Sequence, residues 1–247
     1  MELILLKKIR TLRVCLILLA IANGFILFCA FDDHVKVKHF EEIDVERINI
    51  VGTNGKPVMV LSNKRLIPGP SMNGKTYPRE YADGRQYFSG LIFFNEQGDE
   101  VGGLIYAGIP KDSGYYAMEH LSFDQWKQNQ VVALQYIDNG KSKRAGLRIY
   151  DRPNVPLDQI FDRYVLKNSL QKNTPVYDSV MYEIKASQAR GDNGMERMFL
   201  GSQDGEAQLQ LRDKLGIIRG KLYVDANGQA KLEFLDAAGH VTKTFGE

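Results

Sequence analysis

After residue 46 the chain alternates apolar and polar residues, and glycine-bearing turns interrupt the alternation at short intervals. Five segments share one unit of strand, turn ending in Gly, and strand: INIVGTNGKPVMVL, LIFFNEQGDEVGGLIY, LQYIDNGKSKRAGLRIY, MFLGSQDGEAQLQL and KLYVDANGQAKLEFL. Successive side chains of a strand point to opposite faces, so Leu209 and Leu211 share a face, as do Leu222 with Val224 and Leu232 with Phe234. The turns TNG, DNG and ANG place Asn-Gly where positive φ is needed, which glycine supplies at no steric cost. Gly205, Gly216, Gly228 and Gly239 follow one another at 11, 12 and 11 residues, the beat of an up-and-down meander. Gly55, Gly98 and Gly140 stand 43 and 42 residues apart, the size of a four-stranded blade. The pattern predicts a mainly β fold of antiparallel hairpin and meander repeats, propeller-like or barrel-like.

Two stretches leave this period. Leu157, Ile160, Phe161, Tyr164 and Val165 follow the spacing of one helical face. Thr174-Pro175 then offers an N-cap and first position, Val176, Val180 and Ile184 continue at helical spacing, and Gly191 is placed to end the segment. A helical hairpin over about 154–190 is therefore expected between two β blocks, with its apolar face on the sheet. The other exception is Val14–Phe31, 18 residues without a charge, long enough as a helix to span a bilayer core.

That run sets the organisation: a short cytoplasmic stub and transmembrane anchor over 1–31, a juxtamembrane linker over 32–45, and a β domain over 46–247. Lys7, Lys8, Arg10 and Arg13 precede the run, while Asp32, Asp33, Lys36 and Lys38 after it roughly cancel. The positive-inside rule then puts the N-terminus in the cytoplasm and the β domain outside it, as a single-pass protein of the cell membrane. An uncleaved anchor suits the length of the run better than a cleaved signal peptide ending near Ala20 and Ala22.

Charge and cysteines narrow the chemistry. The formal charge of +2 comes from the N-terminus; from residue 32 onward 28 Lys and Arg face 29 Asp and Glu. Such a body carries no electrostatic footprint for nucleic acid. Both cysteines, Cys15 and Cys29, lie inside the apolar run, so the β domain has no disulfide, thiol nucleophile or thiolate metal site.

The segments LIFFNEQGDEVGGLIY, HLSFDQWKQNQ, GLRIYDRP and KLEFLDAAGHV resemble a family of short bacterial membrane-anchored hairpin-repeat proteins with no assigned activity. The likeness covers most of residues 46–247. It implies a shared bacterial fold and transfers no functional residue.

The stretch GPSMNGKT, Gly69–Thr76, fits the phosphate-loop pattern G-x-x-x-x-G-K-[ST]. A phosphate loop leaves a buried strand and opens directly into a helix. Here SNKRLIP precedes it, and Tyr77-Pro78 and Asp83-Gly84 follow, so nucleotide binding through Lys75 and Thr76 is a remote expectation. The surrounding 25 residues, Lys64–Phe88, lack periodicity, and long loops of this kind are usually functional or disordered. Basic Arg79 and Arg85 interleave with Tyr77 and Tyr81, groups that together suit an anionic or glycan polymer, a lipid headgroup or an envelope protein.

A second candidate is GYYAMEHLSFDQWKQNQ, Gly114–Gln130, with Glu119, His120, Asp124 and the sole Trp126. His120 could carry a proton with a carboxylate beside it, although Glu119 and His120 point to opposite faces of a strand. Many carboxylates could form a hydrolytic pair, and no single pair stands out in the sequence. His34 and His39 flank the linker without a further ligand, and DANG and QDG lack calcium-loop spacing, so neither metal nor cofactor is expected. The sequence thus points to a membrane-anchored extracytoplasmic binding or scaffolding domain, with Tyr77, Arg79, Tyr81, Arg85, His120, Asp124 and Trp126 as ligand candidates. An extracytoplasmic hydrolase using carboxylates and His120 is the alternative.

Overall fold

The structure is a computed structural model that describes residues 2–30, 38–81, 84–189, 191 and 194–246; the side chains of Glu2, residues 26–30 and Tyr81 also fall outside the description. Asp32, Asp33 and His34 therefore lie outside the described residues. The chain divides into two units, Met1–Asp44 and Val45–Glu247.

In the first unit α1 runs from Glu2 to Ala30 as one continuous helix. Among the described residues, no helix is long and apolar enough to cross a membrane. Every 18-residue stretch of α1 between Leu3 and Phe25 includes Lys8, Arg10 and Arg13. This does not favour the expected single-pass span, whose last residues have no described side chains.

The second unit is built on one antiparallel sheet of twelve strands. In chain order these are β1 (Arg47–Val51), β2 (Pro57–Ser62), β5 (Ser89–Phe94), β6 (Glu100–Lys111), β7 (Gly114–Asp124), β8 (Gln130–Asp138) and β9 (Lys143–Asp151). They continue as β10 (Met195–Gln203), β11 (Glu206–Arg212), β12 (Ile218–Val224), β13 (Ala230–Leu235) and β14 (Val241–Phe245). Two insertions interrupt the meander without breaking it. A small hairpin, β3 (Ser71–Met72) with β4 (Lys75–Thr76), lies between β2 and β5; helices α2 (Leu157–Ser169) and α3 (Pro175–Ala189) lie between β9 and β10.

The propeller-like and barrel-like expectations are corrected: the sheet is neither divided into blades nor closed, and β1 and β14 form its two edges. Each insertion leaves one strand and returns as that strand's neighbour, so pairing runs on from β2 to β5 and from β9 to β10. The 43- and 42-residue spacing has no structural unit behind it. The first interval spans the β3–β4 insertion, the second spans the two longest strands.

The turns explain the hairpin period. At Asn95, Asp213, Asp225 and Asp236 one side-chain oxygen accepts the backbone N–H groups of the second and fourth residues onward. The glycine at the fourth position, as in Gly98 at φ 87° and Gly228 at φ 80°, takes the left-handed conformation. This is an Asp/Asn-x-x-Gly turn with one positive-φ residue; at Asp225 it replaces the tight Asn-Gly turn that ANG suggests.

The sheet has one covered face. Ile92, Ala107 and Met118 form its core with Ile67 and Phe88 from the first insertion. Both helices form where the apolar spacing places them. Thr174 caps α3, its Oγ1 accepting the N–H of Tyr177 at 3.3 Å, and Ile160 on α2 and Ile184 on α3 are buried. The face carrying Leu209, Leu211, Leu222, Val224, Leu232 and Phe234 lies open, while Gln208 and Gln210 occupy the covered side.

Candidate functional site

A cavity of about 680 Å³ lies between the covered face of the central strands and the two insertions. Its floor comes from β6, β7 and β8, and α2 contributes Leu157, Ile160, Phe161 and Tyr164 as a roof. The size falls within the range of ordinary small-ligand sites, roughly 300–1,000 Å³.

Strand irregularities decide what the floor displays. In β6 the pairing with β5 slips by one residue, so that Phe94 faces Glu100 while Phe93 faces Gly102. The bulge turns Glu100 onto the covered face, where strict alternation would have turned it outward. A second slip, between Phe123 and Asp124, pairs Asp124 with Gln130 and brings Gln130 to the same cavity. Both bulges adjoin the turns that join these strands.

Glu100 is held by Arg85, whose Nη2 donates to both carboxylate oxygens at 2.6 Å. The pair is largely withdrawn from solvent, with side chains 8% and 17% exposed. Arg85 Nη1 is buried and has no hydrogen-bond partner among the described residues. Asp124 also lines the cavity. Burial and the nearby Glu100 charge push its carboxyl up to about 8, against the opposing pull of Arg152 and Arg85. Two carboxyl groups on one floor thus differ in setting: Glu100 is paired with arginine, and Asp124 keeps its proton at neutral pH.

His120 stands at the start of a polar chain across the sheet. Its Nδ1 meets Gln135 Nε2 at 3.0 Å, and Gln135 Oε1 accepts from Arg148 at 2.6 Å. Arg148 Nε in turn donates to Glu196 Oε2, which Arg144 also approaches through Oε1 at 2.8 Å. Burial and the Arg148 charge lower the histidine pKa, so the ring is neutral at pH 7. Glu119 lies on the open face between Tyr106 and Tyr136 and does not reach it.

The Gly69–Thr76 stretch forms the β3–β4 hairpin, turned by Asn73 at φ 52° and Gly74 at φ 73°. No helix follows it; the next element is a three-residue 3₁₀ turn, Arg79–Tyr81. The amide of Asn73, which a phosphate would need, donates to the fully buried carboxylate of Asp99 at 2.6 Å. Lys75 pairs with Asp162 on α2, and Tyr77 OH donates to the same carboxylate at 3.0 Å. The Tyr77 ring packs on Phe161 with centroids 4.9 Å apart. The hairpin is thereby stapled to the cavity roof.

Of the sequence candidates, the cavity gathers Arg85, His120 and Asp124. Tyr77 supports the roof from behind. Arg79 donates to the carbonyls of Lys64 and Arg65 and holds the loop together. Trp126 sits 61% exposed at the β7–β8 turn, outside the cavity lining, and the Tyr81 side chain lies outside the described residues. Sequence reasoning passed over Glu100, Ser122, Gln128, Gln130 and Gln135, which also line the cavity. Their signal is faint: Gln128 and Gln130 sit in a stretch whose titratable and aromatic residues stand out instead, and Glu100 depends on a bulge. No group of three or more His, Cys, Asp or Glu suited to a metal ion occurs among the described residues.

The sequence matches no family model and no curated protein.

Proposed function

We propose that this chain is a membrane-anchored, extracytoplasmic binding domain whose cavity takes a hydroxyl-rich ligand, a short glycan. The supporting observation is the floor of the cavity, where Glu100, Asp124, Gln130, Gln135 and the spare Nη1 of Arg85 converge beneath an aromatic roof. A sugar presents hydroxyls that both donate and accept, and C–H faces that lie on rings. Glu100 accepts, protonated Asp124 and Arg85 donate, the two glutamines do both, and Phe161, Tyr164 and Tyr116 offer apolar surface. Anchoring rests on the uncharged run of residues 14–31 and the basic residues before it; a position outside the cytoplasm follows from the same asymmetry.

Titration calorimetry of the full-length protein in detergent with a panel of neutral oligosaccharides tests the reading. Asp124→Ala or Gln135→Ala should weaken binding by about tenfold, about 1.4 kcal/mol. Absence of binding across the panel, or equal affinity in both variants, overturns it.

The paired carboxyls favour hydrolysis as a second reading. A protonated acid and a second, arginine-paired carboxyl in one cavity are the pair of groups glycoside cleavage uses, with Asp124 as acid and Glu100 as base or nucleophile. Turnover of an activated aryl glycoside that falls in both Asp124→Asn and Glu100→Gln would carry it; turnover unchanged in both would remove it.

A further inference from the structure

The register of the sheet produces one feature that the cavity leaves unused. From Ile48 on β1 to Phe245 on β14, every strand gives one residue to a single cross-strand row on the open face. All ten residues between these two are leucines, from Leu61 through Leu134 and Leu147 to Leu232. A second row beside it runs from Met59 through Phe123 and Leu211 to Phe234, and its one charge is Lys243 at the far edge. These side chains are not buried: Leu134 is 57% and Leu200 50% exposed.

Single exposed leucines are ordinary, but a contiguous row on every strand is not. With strands about 4.8 Å apart and two rows about 7 Å apart, the strip is about 53 Å long and about 14 Å tall, roughly 700 Å². That exceeds the largest patch of a typical monomer and approaches the roughly 800 Å² per partner that a stable complex buries.

We propose that the open face is a homodimer interface, in which two copies of this chain pack sheet on sheet through the leucine row. The area suits a dimer. A row of one residue type is self-complementary under a two-fold axis, and without charges nothing in it selects a different partner. A lipid surface would be favoured by a rim of basic residues, but the row that flanks the leucines on their other side, from Tyr106 through Tyr136 to Val224, has Glu119 as its one charge. Leu134 and Leu147 stand at the middle of the row, so a two-fold axis that overlays its whole length passes beside them. Sheets packed face to face lie about 10 Å apart, with the leucines interleaved. This inference is independent of what the cavity binds.

The test is oxidative cross-linking of the full-length chain in proteoliposomes. Leu134→Cys, placed in a chain with Cys15→Ser and Cys29→Ser, should form a covalent dimer, while Lys141→Cys at the exposed β8–β9 turn should not. Leu200→Lys with Leu222→Lys should reduce the cross-link to the control level with an unchanged far-UV circular dichroism spectrum. Should the lysines unfold the chain, Leu200→Ser with Leu222→Ser serves the same purpose. A Leu134→Cys yield no higher than that of Lys141→Cys, or one that persists in the folded charged or serine variant, overturns the proposal. Labelling of Leu134→Cys by a bilayer-soluble maleimide in place of cross-linking also overturns it and assigns the face to lipid.

Discussion

Arg85 turns one terminal nitrogen toward both oxygens of Glu100, at 2.6 Å each, and leaves its other terminal nitrogen buried beside the cavity. A paired charge withdrawn from water is costly to strand. Glu100→Ala should therefore lower unfolding free energy by about 3 kcal/mol in urea titrations, because it leaves the guanidinium buried alone. Arg85→Met combined with Glu100→Leu should recover most of that loss.

Asp124 links stability to pH. Its folded pKa, raised from 3.8 to about 8, means that the native state keeps a proton which the unfolded chain releases near pH 4. The resulting stability is fully present below pH 3.8 and is lost as pH rises through about 8. Thermal melts should show Asp124→Asn gaining on the parent protein as pH rises from 4 to 8, with the two equal at the acid end. His120 works in the other direction. Its lowered pKa lets the unfolded chain take up a proton first, so stability falls below pH 6.5, and His120→Gln should flatten that limb.

The staple between β3–β4 and α2 separates ring from charge. Lys75 and Asp162 are both more than half exposed, so Lys75→Ala should change stability little, and salt should erase even that. Tyr77 is only 3% exposed, while its hydroxyl reaches the more open Asp162. Tyr77→Ala should cost about 3 kcal/mol in chemical denaturation, and Tyr77→Phe far less.

Gly146 on β9 and Gly201 on β10 face one another across the ladder. A Cβ at Gly146 would stand 2.4 Å from the Leu200 carbonyl oxygen, and one at Gly201 would stand 2.1 Å from that of Ala145. Neither obstacle is a movable side chain end. Alanine at either position should destabilise by about 1–3 kcal/mol, seen as a lowered melting temperature, and spacing rather than lost contact is the cause.

Much of this architecture was legible in the chain. The hairpin units, the helical insertion and the Thr174 cap follow from period and turn chemistry, which are local. Four things escaped, the first masked by an overlapping motif and the other three because they are not local. Asn73-Gly74 is a hairpin signal, yet it sat inside a phosphate-loop pattern that drew the reading elsewhere. Alternation shows that Leu209 and Leu211 share a face, but it does not say which face is covered; here Gln208 and Gln210 hold the inside and the leucines the outside. Glu100 reaches the cavity through a one-residue slip that no periodicity encodes, and its meeting with Asp124 and Arg85 requires β6, β7 and the first insertion together. Open and closed sheets share the same hairpins, so the two free edges were equally invisible.

The order of the sheet has a consequence for how the molecule is made. Because each of the twelve strands lies beside its nearest neighbour in the sheet's sequence order, most pairings close after a short turn, with exceptions at the two insertions. Ordering can then spread strand by strand as the polypeptide leaves the ribosome, and the last four strands can be added to an already assembled pocket. Lengthening or trimming that tail would alter the size of the scaffold and leave the chemistry at its centre undisturbed.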